Sequence, residues 1–477
     1  MLSLIRSRED MDFIKSQIEK LQIPATVSRK WQIGTLVGLI VLMTYYFSIS
    51  SWYSNTYAQY RSTPSSINQL LTIRRHVLDT AISPLTPTTN SVCALITAKR
   101  GVYGQLDISK NAMVNWRPLT VRLTGCLGGI NTVRDGVFDM TKGVQLALSQ
   151  GARAFVFEID YLENSPCNPV VIHRDGKGYM RSLHTGSVKE GCKALADMSF
   201  TSNYDPVLVI LYFRRIPPGT LQQSSYFKKT AASLEPLNKY HLGSNEQGNF
   251  HNCRSEANLF MSPITNYQKK FIVLTNYNTN LLPSTQNPKD NLDFWTNARI
   301  YVDESGKSST LGTVTTTVPQ GQIPFVQVGS SQQLLAIPTV DRANYLQTSS
   351  HTFKIVMSDI EYTFSSAELS TLMNTLGIQC VPIDVLTLAA KDCHAATLQN
   401  TNEPSQLTDL SNPTNPKDQL SFWKHAGWSR KLIIEGFDNP VPVPPAAKIP
   451  GFIIPPVVVP KRPPPSVNSN GGLVNIG

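Results

Sequence analysis

Glu158, Asp160 and His173 are the residues whose types and spacing could do chemistry in this sequence. Arg153 to Ile159 is apolar and β-branched enough to read as a buried strand. Side chains two apart on a strand share a face, so Glu158 and Asp160 arrive on one side. A short Asn/Ser/Pro turn follows, and a second apolar run, Val170-Val-Ile172, carries His173 to its end. Two acids and a histidine arriving at the ends of neighbouring strands make a candidate site rather than a core. The alternative is that surface acids cap a strand and His173 is a satisfied loop residue. A glycosidase-like carboxylate pair is disfavoured, because such pairs flank the scissile bond from different strands.

The elements that must position these residues follow directly. Gly186 to Phe200 has apolar positions at helical spacing, and Tyr204-Asp-Pro-Val-Leu-Val-Ile-Leu-Tyr-Phe213 reads as another buried strand entered through a proline. The order Gly151-x-Arg153-x-apolar-Glu158-apolar-Asp160, then Pro169-Val-Val-x-His173, a helix, and Tyr204-x-Pro206-Val resembles the X half of phosphoinositide-specific phospholipase C. Further on, Phe271-Ile-Val-Leu-Thr-Asn276 resembles a later family strand, Leu376-Gly-Ile-Gln-Cys-Val-Pro-Ile-Asp384 the Y half's Gly-x-Gln-x-Val strand, and Gly427-Trp-Ser-Arg-Lys431 its closing segment. The resemblance implies an α/β fold, a distorted (β/α)8 TIM-like barrel, with the site at the C-terminal ends of its strands. It implies His173 as a catalytic residue and Glu158 and Asp160 as metal ligands for Ca²⁺.

The same resemblance shows what is missing. Family members open the barrel with a strand ending like Ser-His-Asn-Thr, whose histidine contacts phosphate and whose asparagine binds calcium. Here that region is Val121-Arg-Leu-Thr-Gly-Cys-Leu-Gly-Gly-Ile-Asn-Thr132, and no histidine lies between His76 and His173. Tyr212 takes the position of a further Glu ligand, and the strand runs into Arg214-Arg215, which would repel a divalent cation. His173, Glu158 and Asp160 are therefore read as remnants of a site that does not turn over, with no cofactor. An active phosphatidylinositol phosphodiesterase using His173, with Ca²⁺ on Glu158 and Asp160, is the second reading.

With 477 residues, the chain can bury one large barrel plus appendages. Only 16% of residues are charged, and the net charge of +10 is spread without a Lys/Arg block or a basic aromatic stripe, which argues against nucleic acid as a partner. The seven cysteines are widely spaced, with no CxxC or Cys/His cluster, so reduced thiols are expected rather than zinc. No loop of GxxxxGK[ST] type, no HExxH and no GxSxG elbow occurs.

Residues 1–30 read as an amphipathic helix, with Met11, Ile14, Ile18 and Leu21 on one face and Pro24 at its end. From Gln32 through Tyr53 there is no charge, and Trp31 and Trp52-Tyr53 flank the stretch like interfacial anchors, so 31–53 is expected to be a transmembrane helix. Residues 54–89 read as a polar helix and linker. Basic residues ahead of the span place the N-terminus in the cytosol, whereas unpaired cysteines and the lack of a usable Asn-x-Ser/Thr sequon argue against a body in the secretory lumen.

The barrel is expected over 90–437, with an X-like half at 90–276 opening on a short strand near Asn90–Thr97. A β-rich insertion with hairpin content is expected at 277–345 and a Y-like half at 346–437. Residues 438–477 form a proline-rich tail with no acidic residue after Asp438, suited to an extended arm lying in grooves of partner proteins. A span in the lipid bilayer, a globular body and an arm make a tether between a membrane and a protein assembly. A minor capsid protein of a large DNA virus, placed in the virion between internal membrane and capsid proteins, is one such part.

Overall fold

The computed structural model describes residues 34–48, 64–82, 91–93, 112–127, 136–174, 180, 182–243, 259–283, 285–308, 311, 314–319, 324–357, 364–386 and 427–431. The chain divides into a large unit, Met1–Ile434, and a small one, Glu435–Gly477. The small unit lies outside the described residues, as do the expected helix over 1–30 and the tail over 438–477.

Ten strands and the helices that flank them follow in chain order. Helix α1 is Pro64–Ile82, β1 is Trp116–Pro118, β2 is Thr120–Val121, and α2 is Met140–Ser149. Strand β3 (Ala154–Leu162) turns into β4 (Ser165–Val171), followed by α3 (Val188–Met198), β5 (Val207–Phe213) and α4 (Thr220–Ser233). Then come β6 (Phe271–Thr275), α5 (Leu292–Trp295), β7 (Ala298–Val302) and β8 (Val326–Ser330). Helices α6 (Ser331–Leu335) and α7 (Thr339–Thr348), β9 (Phe353–Met357), α8 (Ser366–Ser370) and β10 (Trp428–Arg430) complete them.

Strands β2-β3-β5-β6-β7-β8-β9 lie side by side in sequence order, and every neighbouring pair on that path is parallel. The curled sheet has a join between its ends. Ile355 of β9 bridges Cys380 in parallel, and Val121 of β2 bridges Ile383 in parallel. The amide of Cys380 donates to the Lys354 carbonyl at 3.0 Å, and that of Arg122 to the Ile383 carbonyl at 2.9 Å. Residues 380–383 thus occupy an eighth position, and the sheet is TIM-like.

Alternation along the strands explains why both faces bury. Val156, Leu208, Ile210, Ile272, Leu274, Ile300, Val326 and Ile355 belong to one apolar cluster. Their neighbours Phe155, Phe157, Val209, Leu211, Phe213, Phe271 and Val273 belong to another, which includes Val144 of α2, Leu195 of α3 and Phe227 of α4. A strand covered on both faces has no polar alternation, which is why β5 reads Val-Leu-Val-Ile-Leu-Tyr-Phe, buried throughout.

Two expectations are corrected. Residues 277–345 are not an insertion: β7 and β8 are parallel members of the sheet, buried like their neighbours, and no hairpin joins them among the described residues. Val92 and Cys93 are helical rather than a strand, because the Asp205 carboxylate gathers their two amides and the Ser91 hydroxyl. The run ending at Ile172 is a strand beside β3, the antiparallel β4 folded back along it.

Residues 34–48 are helical and exposed along their length. Among the described residues no helix is long and apolar enough to cross a membrane, and residues 31–33 and 49–53 of the expected span lie outside them. The described cysteines, Cys93, Cys126, Cys167, Cys192 and Cys380, are in no disulfide.

Candidate functional site

The strands' C-terminal ends form the mouth of the barrel, and Glu158 and Asp160 sit there. Both continue the inward row of β3 that begins with Ala154 and Val156. Both are buried, as is His173 just past the end of β4. Folding β4 back antiparallel sets Ile159 opposite Val171 and Asp160 opposite Val170, so His173 returns to the level of the carboxylates. The His173 amide lies 3.4 Å from the Ser182 hydroxyl. The sequence-predicted trio is therefore together in space.

Each carboxylate is held by two arginines. Glu158 Oε1 accepts from Arg122 Nε at 3.3 Å, and Oε2 from Arg214 Nε at 2.8 Å and the same guanidinium's terminal nitrogen at 2.6 Å. Asp160 accepts from Arg174 Nε at 2.7 Å and from Arg215 Nε at 2.9 Å, and takes the Tyr161 amide at 2.7 Å. Glu163 ties the outer ends of Arg174 and Arg215 together at 3.2 and 3.0 Å. The Arg215 guanidinium also lies over the Tyr161 ring, 4.6 Å from its centre.

The electrostatics follow from this geometry. Burial by itself would raise the Glu158 carboxyl, but the charges of Arg214 and Arg122, with His173 behind them, bring it down to about 2. The opposite balance acts on Arg215, where Asp160 raises the guanidinium against the desolvation that would lower it. The Glu158 carboxylate thus stays ionised in a nearly dry place because two guanidiniums accompany it.

A divalent cation fits poorly here. Calcium takes six to eight oxygen ligands, whereas the oxygens of Glu158 and Asp160 are already engaged by N–H donors. Among the described residues no group of three His, Cys, Asp or Glu side chains could hold a metal ion. Tyr212, matched in register with Glu158, offers no third carboxylate, and its hydroxyl donates to the Leu311 carbonyl at 2.6 Å.

Arg122 and Arg174 are the functional-looking residues that sequence reasoning did not single out. A signal existed: two acids inside an apolar strand demand cations, and Arg174 directly follows His173. Arg122 needed the register, since Thr120 pairs Ala154 and Val121 pairs Phe155, which sets Arg122 opposite Val156 on the inward row, one inward step below Glu158 and within reach of its carboxylate.

No family model matches the chain, and no curated protein sequence does. Solved structures with similarity include L. pealei PLC21, at 12% identity and a TM-score of 0.42, covering 68% of this chain and 37% of that one. Another is a calcium-dependent phosphoinositol-specific phospholipase C from a Gram-negative bacterium, Pseudomonas sp, at 12% identity and a TM-score of 0.35, covering 59% of this chain and 92% of that one. The chain thus spans well under half the length of the L. pealei structure and most of the bacterial one. At such scores the fold rests on the strand order and bridges described above, not on these likenesses.

Proposed function

We propose that this chain is a membrane-anchored structural protein whose phospholipase C-like barrel has lost turnover, and that it tethers a bilayer to a surrounding protein assembly. One observation carries the loss of turnover: the two carboxylates of β3 are engaged by Arg122, Arg214, Arg174 and Arg215. Carboxylates consumed in this way hold the mouth together rather than a reacting group. With no second histidine in the barrel sequence ahead of His173, acid–base catalysis would lack a partner, a loss of about 10²–10⁴ in rate. The uncharged stretch 31–53 supports the membrane attachment and the proline-rich 438–477 the protein attachment. A virion whose protein shell encloses a membrane is an assembly that needs such a part, and a minor capsid protein is the form of tether we propose.

The test is a phosphodiesterase assay of the full chain on phosphatidylinositol vesicles, with and without Ca²⁺. The expected result is no turnover above a His173→Ala control, together with loss of co-assembly when residues 439–477 are deleted. Turnover abolished by His173→Ala would overturn the structural reading. It would favour a hydrolase using His173, a reading supported by the burial of that ring at the mouth and by its influence on Glu158.

A further inference from the structure

Residues 427–431 are stitched across the bottom of the barrel, the end where the parallel strands begin. Strand β10 pairs antiparallel with β1, directly ahead of β2. The Leu119 amide donates to the Gly427 carbonyl at 2.8 Å, and the Lys431 amide to the Asn115 carbonyl at 3.0 Å. Between them Trp428 is fully buried, and its Nε1 donates at 3.1 Å to the carbonyl of Pro206, the residue before β5.

The last side chain of this stitch is an amine in a dry place. Lys431 is 3% exposed. Its Nζ bonds the carbonyl of Ser349, the C-cap of α7, at 2.7 Å and the hydroxyl of the same residue at 3.4 Å. Both acceptors are neutral, and among the described residues no carboxylate is paired with this amine. The charges that act on it are cations, Arg117 of β1 and Lys354 of β9, each buried. Arg117 Nη1 donates to Asn374 Oδ1, one turn past α8, at 2.8 Å. Lys354 is matched by Asp303 at 2.6 Å, whose carboxylate also takes the hydroxyl of Tyr345 of α7 at 2.8 Å. Gln379 lies between the two lysines, taking the Lys354 amide at 2.8 Å and donating to the Ser349 carbonyl at 3.0 Å. Burial, then Arg117 and Lys354, pushes the Lys431 amine well below its ordinary value. Burial lowers Lys354 as well, against the charge of Asp303, and Tyr345 keeps its proton because burial and Asp303 both raise it.

We propose that Lys431 is an acid-sensitive latch on the bottom of the barrel: its uncharged amine lets residues 427–431 seat, and uptake of a proton releases them. A lysine set free by opening regains its ordinary value of 10.5. The opened stitch therefore binds a proton that the seated one refuses. Opening grows easier as pH falls below about 10.5, by up to about tenfold per pH unit, until the seated amine itself takes up the proton. A seated ammonium would then face Arg117 and Lys354 with only Ser349 to solvate it. The latch depends neither on membrane attachment nor on turnover.

Amide hydrogen exchange of the full chain reads the latch, from about pH 9 to about pH 6, with each rate corrected for the intrinsic pH dependence of exchange. Protection at Leu119, whose amide is held by Gly427, is expected to fall at least about tenfold across that range. The Val171 amide, which bonds the Gly186 carbonyl away from the stitch, should stay level. Lys431→Met removes the titrating group and should flatten the Leu119 profile, with Lys431→Gln in its place if the thioether does not seat. Lys431→Arg, charged throughout, should hold Leu119 at low protection at every pH. A level Leu119 profile in the unaltered chain would overturn the latch. So would a fall matched at Val171, which marks general loosening, or a fall that persists in full without the Lys431 amine.

Discussion

Glu158 and Tyr212 stand side by side, matched in register on the parallel strands β3 and β5. One is a buried carboxylate held by arginines, the other a phenol that donates to Leu311. A cation between the two strands would find one charged ligand instead of two. Tyr212→Phe removes the bond to Leu311 and the longer one accepted from Thr315, a loss of about 1–2 kcal/mol. Tyr212→Glu sets a second carboxylate beside the first in a buried place and should cost several times more. Urea unfolding of both variants in metal-free buffer checks the order.

The arginine pair on Glu158 should behave non-additively. Removing Arg122 or Arg214 alone leaves a buried carboxylate with one partner, for about 1–2 kcal/mol. Removing both leaves it with none, and breaking a buried pair costs about 3–5 kcal/mol. A double-mutant cycle with Arg122→Met and Arg214→Met should therefore show a double loss larger than the two single losses together.

Acid should weaken the fold through the same residue. The Glu158 carboxyl is lowered from 4.5 to about 2 by its arginines. A depressed carboxyl means the unfolded chain binds a proton that the folded chain refuses, so stability falls as pH falls. The contribution is complete above about pH 4.5 and gone below about pH 2. It amounts to roughly 3 kcal/mol. Glu158→Gln should flatten that part of the stability profile between pH 5 and 2, measured by denaturant titration at each pH.

The bottom stitch should be sensitive at Gly427. A Cβ there would meet the Gly151 carbonyl oxygen at 2.3 Å and the Arg153 side chain at 2.4 Å, with backbone on one side that cannot yield. Gly427→Ala should loosen β10, and Trp428→Ala, emptying a fully buried indole site, should cost about 3–5 kcal/mol. Hydrogen exchange at Leu119, whose amide is held by Gly427, reports the loosening before global unfolding does.

Sequence patterning made the centre of the molecule legible. Strand β3 with its two acids, α3 behind Ser187 and the uninterrupted apolar β5 are strong local signals, and each lies where periodicity put it. The pattern failed where partners decide. A run such as Val170-Val-Ile172 reads the same in a parallel strand or in an antiparallel return, and only pairing with β3 tells them apart. Strand β8 overlaps a strand-like run, Ile323–Val328, but the place of β7 and β8 in the barrel sheet was hidden because polar Thr, Ser and Gln stretches around them suggested an excursion. The arginines at Glu158 and Asp160 came from three separate places in the chain, a convergence that spacing along one strand cannot reveal.

The join of Val121 to Ile383 has a consequence during synthesis. Strand β2 is made early, yet its outer edge has no partner until a segment about 260 residues later leaves the ribosome. At about 5–20 residues per second, that edge waits on the order of 10–50 seconds. Trp428, which seals the bottom, comes later still. A nascent barrel with an unpaired parallel edge invites pairing with other chains, so folding yield should depend on how well the half-made sheet is shielded before residue 383 arrives.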